Sequence, residues 1–316
     1  MPVSAFLSDR SPECPAWLLS EAQRHRPPTV VIANAGADLP MQAAKEATEA
    51  GIMVPVFTGS LDDINRTADG LGWDISRYQT IKASDEIEAG MVAANACGAG
   101  VADVLMKGHI STDVFLKAAL NKDAGLRTGA RLTHVFHITA PDSRRALLLS
   151  DAAVNISPDI QTMQSSTHAV VSLLKILGRN NAKVAFLSAS EKPMQSMPSS
   201  LDARRLRDWA RSEIPEAHFS GPLALDVIFS AKSAGIKGIG DDPVAGNADA
   251  IIVPDIVSGN AIFKSLVYLT GACAAGVVFG AKVPLLLTSR ADPPAARLAS
   301  LALAAIITAA NKASRS

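Results

Sequence analysis

The sequence has few cysteines, few aromatics and no excess of charge of either sign. Cys14, Cys97 and Cys273 are the only cysteines in 316 residues. An odd, widely spaced set makes neither a disulfide framework nor a zinc site, and it fits a reducing cytosol. Aromatic residues make up 4% of the chain, too few for a platform on which nucleic-acid bases stack. Lys and Arg number 30, Asp and Glu 30, and the formal net charge is +0. That balance argues against nucleic acid as the main partner, because binding a phosphate backbone needs a basic face. Long apolar runs are also missing. Leu266–Ala281 and Leu298–Ala310 are short and rich in Ala or Gly, so they read as buried elements and no membrane association is expected. The opening residues have no basic stretch followed by an apolar one, so no secretory signal is expected and the location expected is cytoplasmic.

Several motifs are absent as well. There is no G-x-x-x-x-G-K-[ST] and no G-x-S-x-G. Gly235–Gly240 reads GIKGIG, which is not a dinucleotide fingerprint. His134 and His137 are three apart in one expected strand, where alternation puts them on opposite faces, so no metal site is expected.

What is present is a globular pattern. Hydrophobic residues make up 48% and charged residues 19%, which supports a sizeable core and excludes intrinsic disorder. The length suggests two domains or one large one. Short β-branched runs alternate with helical stretches. Strands are expected at Thr29–Ala35, Ile52–Thr58, Ala102–Lys107, Lys183–Ser188, Ala248–Val253, Gly276–Phe279 and Val283–Thr288. Helices are expected at Leu39–Ala50, Asp85–Ala96, Ser111–Leu120, Ile160–Leu177, Leu201–Arg211, Gly259–Leu269 and Ala295–Lys312. Leu132–Thr139 and Arg145–Ser150, joined by a turn-forming APDSR, read as an antiparallel hairpin. The alternation predicts largely parallel sheets covered by helices.

Ligands of such folds bind beyond the carboxyl ends of strands, near helix N-termini. After Val283–Thr288 comes Ser289-Arg290-Ala291-Asp292-Pro293-Pro294, which places a hydroxyl, a guanidinium and a carboxylate at a strand-to-helix turn. Arginine grips a phosphate or carboxylate bidentately, and a helix N-terminus favours the same anion. Asp292 before two prolines also reads as a plain N-cap. Lys107-Gly108 at a strand end, ahead of Ser111 and Thr112, forms a second anion corner, or simply a solvated lysine. After Ala248–Val253 come Asp255, Gly259 and Asn260, then a helix carrying Lys264. Asp151 and Asn155 follow the hairpin, and Gly221, Pro222 and Asp226 read as a turn ahead of a helix. Each of these turns also has a capping reading.

Taken in order, LMKG…STDVFLKAALN, GLRTG, LTHVF, LLLSDAAVNISPD, GPLALD, VAGNADAIIVPDIVSGN, FKSL, AGVVFGA and PLLLTSRAD resemble the phosphate acetyltransferase/phosphate butyryltransferase family, most of all its butyryltransferase-like branch. The likeness runs from about Val101 onward, and the residues before it match only in pattern. It implies an α/β fold of two α/β/α domains with largely parallel sheets and a cleft between them, as in isocitrate/isopropylmalate dehydrogenases. The domains would be 1–130 with 283–316, and 131–282. It implies reversible transfer of a short-chain acyl group, acetyl to butyryl, between coenzyme A and inorganic phosphate, giving an acyl phosphate. It also implies a homodimer, small-molecule substrates only, and no permanently bound cofactor or metal. By this resemblance Ser289, Arg290 and Asp292 are catalytic. Lys107, Gly108, Thr112, Lys117, Arg127, Asp151, Asn155, Gly221, Pro222, Asp226, Asp255, Gly259, Asn260 and Lys264 contact substrate.

The chain also departs from the family. The acetyltransferase branch carries its assigned base seven residues after the serine, where this chain has Ala296. An arginine expected four residues after Lys264 is Tyr268, the Asp before Gly221-Pro222 is Ser220, and the Asn after Asp226 is Val227. A catalytically weak paralogue that binds coenzyme A or acyl phosphate is therefore the alternative expectation.

Overall fold

The structure is a computed structural model and describes residues 5–287 and 292–314. The chain divides into two compact units. The first is Pro12–Ala130 with Cys273–Ser316, and the second is Arg131–Ala272 with the described part of Met1–Ser11. The chain therefore returns to the first unit at Cys273, before the expected crossing near Lys282. The reason is that the strand opening there pairs with a strand of the first unit.

In the first unit the chain runs α1 (Ala16–Ala22), β1 (Thr29–Ala33), α2 (Asp38–Glu49), β2 (Val54–Gly59), α3 (Leu61–Gly70), β3 (Thr80–Lys82), α4 (Glu86–Gly98), β4 (Val104–Lys107) and α5 (Thr112–Ala119). The second unit follows with β5 (Thr133–Thr139), β6 (Ala146–Ser150), α6 (Ile160–Ile176), β7 (Lys183–Leu187), α7 (Pro198–Glu213), β8 (His218–Leu223), α8 (Leu225–Phe229), α9 (Ala231–Ile236), β9 (Ala250–Ile252) and α10 (Ile256–Thr270). Back in the first unit come β10 (Cys273–Phe279), β11 (Leu285–Leu286) and α11 (Pro294–Ala313).

The first unit's strands lie in the order β3-β2-β1-β4-β11-β10, all parallel except β10 against β11. The order in the second is β5-β6-β9-β7-β8, and there only the hairpin β5/β6 is antiparallel. Parallel strands covered on both faces read as unbroken apolar runs. Val31, Ile32 and Ala33 of β1, Val104, Leu105 and Met106 of β4, and Leu285 and Leu286 of β11 are all at 0% exposure. Helix starts are set by short polar side chains that accept from a first-turn amide. Ser60, Asp85, Ser111, Asp159 and Asp255 do this for α3, α4, α5, α6 and α10. α10 closes on Gly271 in the left-handed conformation.

α11 is long and apolar enough to cross a membrane by length and composition, but much of it lies in the core of its unit. Leu301, Ala302, Leu303 and Ala304 are at most 1% exposed.

Three expectations are corrected. Gly221 and Pro222 lie inside the strand β8 rather than in a turn. Gly221 has no room for a side chain: a Cβ there would sit 2.7 Å from the Phe186 Cβ. α3 and β3 fill the stretch between β2 and α4, where no element was expected. The helix after Asp292 begins at Pro294 with Pro293 in the cap position, so Asp292 stands one residue before the cap.

Candidate active site

The first unit gathers its candidates at the carboxyl ends of β1, β4 and β11. Ala33 pairs with Lys107 across β1 and β4, while Leu105 and Met106 pair with Leu285 and Leu286 across β4 and β11. Lys107 therefore ends its strand one residue past the pairing with β11, on the side from which the chain leaves β11 toward Asp292. Ser289 and Arg290 lie outside the described residues.

Gly108 is placed by contact with β1. Its amide donates to the Ala33 carbonyl at 2.9 Å, and the His109 amide donates to Asn34 O at 2.7 Å. Asn34 has φ 59° and returns a hydrogen bond from Nδ2 to His109 O at 2.6 Å. A Cβ on Gly108 would lie 2.5 Å from the carbonyl oxygens of both Ala33 and Asn34. Gly108→Ala is therefore expected to push β4's end off β1, at a cost of about 1–3 kcal/mol. A melting temperature equal to wild type would show that the loop gives way freely.

Thr112 opens α5 behind its Ser111 cap. Lys117 is on the solvent face and pairs with Asp113 at 2.7 Å, an exposed pair worth little. Arg127 is exposed and forms an isolated antiparallel bridge with Ala281.

In the second unit the structure brings Asp151, Asn155, Asp255 and Gly259 together at the carboxyl ends of β6 and β9. Asp151 is 3% exposed, and four internal donors reach its carboxylate. Oδ1 accepts from the Ala153 and Val154 amides, both at 2.9 Å, and Oδ2 from the His134 amide at 2.9 Å and Asn155 Nδ2 at 2.7 Å. Asn155 Nδ2 also donates to Leu132 O at 2.8 Å. These two side chains tie the loop after β6 to the start of β5. Gly259 lets α10 approach that loop, since a Cβ would lie 2.7 Å from Asp151 O. Asp255 caps α10, accepting from the Ser258 amide at 2.8 Å and its hydroxyl at 2.9 Å.

Asn260 is half-buried in the second turn of α10. Lys264 is exposed, its Nζ 5.9 Å from the Tyr268 ring centroid. Asp226 pairs with Lys237 at 3.1 Å, and Lys237 also reaches Glu191 at 2.9 Å. Hydrogen bonding to Lys237 lowers the Asp226 carboxyl, and bonding to Glu191 and Asp226 raises the Lys237 ammonium. Asp226 is thus separate from the cluster around Asp151 in its bonding.

Burial pushes the Cys14 thiol up to about 11 and those of Cys97 and Cys273 up to about 12. None is a nucleophile near neutral pH. Burial lowers His134 to about 4 against the opposing charge of Asp151, and lowers His137 to about 4. Both imidazoles stay neutral in the fold while those of the unfolded chain protonate near 6.5. Stability should be complete above pH 6.5 and fall as the pH drops toward 4, by up to about 3 kcal/mol for each histidine. Urea unfolding at pH 7 and pH 5 measures this, and equal midpoints would refute it.

Residues 82–306 match the family described as phosphate acetyl/butaryl transferase. The chain belongs to that family. Members of the phosphate acetyl/butaryl transferase family are acyltransferases, and this chain is a phosphate acyltransferase. It is 34% identical over 299 residues to a phosphate acetyltransferase of Rhizobium meliloti, with 94% of each chain covered. It is likewise 34% identical over 284 residues to a phosphate butyryltransferase of Clostridium acetobutylicum, covering 90% of this chain and 94% of the relative. A branched-chain phosphotransacylase from Enterococcus faecalis superposes with a TM-score of 0.78 at 29% identity, covering 88% of this chain and 98% of the other.

One member of this acyltransferase's first unit escaped the sequence reading. Arg297, in the first turn of α11, is 5% exposed and donates from Nη1 to the Asp292 carbonyl. Its Nε has no hydrogen-bond partner among the described residues. The available signal was an arginine in the opening turn of an otherwise apolar helix, ordinarily read as a solvated charge.

Proposed function

We propose that the chain moves a short-chain acyl group, acetyl to butyryl, reversibly between coenzyme A and inorganic phosphate. The observation that supports this is the pairing of β4 with β11, which brings the Lys107 end of β4 beside the end of β11, six residues before Asp292. Phosphate is a dianion that must be held against a thioester carbonyl. Arg290 grips it through its fork, with Lys107 adding a point charge. A phosphate oxygen attacks the carbonyl carbon, and the carbonyl oxygen takes up negative charge. Ser289 donates to that oxygen. The tetrahedral centre then collapses, the C–S bond breaks, and the coenzyme leaves as thiolate. Asp292 takes the proton that the attacking hydrogen phosphate gives up and passes it to the sulfur. In the reverse direction Asp292 takes the thiol proton, the thiolate attacks the acyl phosphate and phosphate departs. Holding the two reactants in line contributes several kcal/mol without a covalent intermediate.

Asp151, Asn155, Asp255 and Gly259 act by shaping the loop after β6. Thr112, Lys117, Arg127, Gly221, Pro222, Asp226, Asn260 and Lys264 complete the substrate contacts in this reading. Coenzyme A and phosphate are substrates, and no resident cofactor takes part.

The enzyme works as a homodimer in the cytoplasm. Supporting a second copy, α10 has Gly259 as its only buried residue although it reads IVSGNAIFKSLVYLT, with Val257 at 74% exposure and Leu269 at 49%.

Purified protein should release coenzyme A from acetyl-, propionyl- or butyryl-coenzyme A only when phosphate is added, with arsenate able to replace it. Binding of coenzyme A by calorimetry with no turnover at any chain length would overturn the proposal and favour the binding-protein reading.

A further inference from the structure

We infer a second ligand site in the second unit, one that takes a small anion bearing a short alkyl tail. Two cavities, of about 290 and 270 Å³, open where β6, β7 and β9 begin. Both are lined by Arg145 and Asn247, so they share a wall. One is cationic: Arg179 and Lys183 join Arg145 there, against the single carboxylate of Asp249. The other is apolar, with Leu147, Phe229 and Leu266 in its lining and Arg145 as its only charged residue.

Arg145 sits at the junction and is held in place. Its Nη2 donates to Asn247 O at 2.9 Å, Ala248 O at 3.1 Å and Asp249 Oδ1 at 3.4 Å. Nε and Nη1 make no hydrogen bond to any described residue. A guanidinium fixed by one nitrogen and open at two is organised in advance for a carboxylate or phosphate. Asp249 pairs with Arg145 at 3.4 Å and offsets one positive charge, but Arg179 and Lys183 leave the lining net cationic. An anionic head in the first cavity would lead its tail past Arg145 into the second. There Phe229, a large apolar side chain left 47% exposed, would be covered. Each cavity alone is at or below the lower end of ligand pockets, so the ligand is small and spans both.

The site lies at the opposite end of β6 from Asp151. Five residues lie between Arg145 and Asp151, which puts them about 20 Å apart at the usual strand rise. It is thus distinct from the strand ends assigned to the acyl-transfer reaction, and it stands whether or not that assignment holds.

The probes are hexanoate and hexyl phosphate, which share a tail and differ in head group, with hexanol and inorganic phosphate supplying tail and head alone. Calorimetry on the full chain, in saturating coenzyme A, should show one binding event per chain for at least one of the two anions. Whichever head group binds identifies the class of ligand. Hexanol and phosphate should each bind at least about 10-fold more weakly. Arg179→Ala and Phe229→Ala, both at exposed positions, should each weaken binding by about 10-fold, as should Arg145→Lys. Should Arg145→Lys fail to fold, the other two variants still decide the matter. The site is overturned if neither anion binds, if coenzyme A displaces the anion, or if Arg179→Ala and Phe229→Ala bind as wild type.

Discussion

Asp292→Asn should leave the melting temperature unchanged and slow acyl-coenzyme A formation from acyl phosphate by about 100- to 10,000-fold, the usual loss for a general base. A capping role predicts a different outcome, since Asn caps about as well as Asp and the rate would be kept. The helix start argues against the cap reading. α11 opens at Pro294 with Pro293 at its cap, and Asp292 stands one residue before, its backbone carbonyl held by the buried Arg297. The defect should shrink as the pH rises toward about 8.5, where free thiol already supplies thiolate. Stopped assays of the variant between pH 6.5 and 9 read both features. A wild-type rate at neutral pH would remove Asp292 from the mechanism.

Loss of Arg290 has an effect of comparable size in the other direction of the reaction. Arg290→Ala should lower kcat/KM for phosphate by at least about 100-fold, or about 2.7 kcal/mol of transition-state stabilisation. Arg290→Lys should recover only part of this, because an ammonium places charge without the fork that fits a phosphate bidentately. KM for acyl-coenzyme A should move far less, which separates a phosphate-gripping role from general damage. Near-normal turnover of Arg290→Ala would place the phosphate elsewhere.

The parallel strands were legible in the sequence because burial on both faces leaves continuous apolar runs. β1, β4 and β7 fall within the stretches expected for them. The hairpin β5/β6 was legible from its turn, and Ser111 as a cap from its spacing to the helix. β8 was not, because Gly221-Pro222 carries turn chemistry. Only the packing of Phe186 against Gly221 reveals why a strand has those residues. α3 was hidden by its polarity: in LDDINRTADG only Ile64, Thr67 and Ala68 are buried. At the site, chain order identified Lys107 and the Ser289–Asp292 stretch as separate anion corners, but that the strands before them are neighbours depends on β4 pairing with β11, some 180 residues apart. Asp151 read as a possible substrate contact. Three of its internal donors, at Ala153, Val154 and Asn155, lie within a local turn spacing, but the His134 amide reaches it only because β5 pairs with β6. Arg297 was passed over because sequence does not distinguish a buried guanidinium from a solvated one.

The division of the chain also orders its assembly during synthesis. Arg131–Ala272 is continuous and can collapse as soon as it has emerged. The first unit cannot, because β4 waits for β11 as its neighbour until Leu285 has been made. α11, which packs over β10 and against α1 and α2, arrives later still. Until then the buried face that α11 covers stays open to water and to other chains. The turn that carries Asp292 lies between these two late pieces. A nascent chain therefore has no assembled anion corner, and cannot act on acyl phosphates, until α11 has been translated.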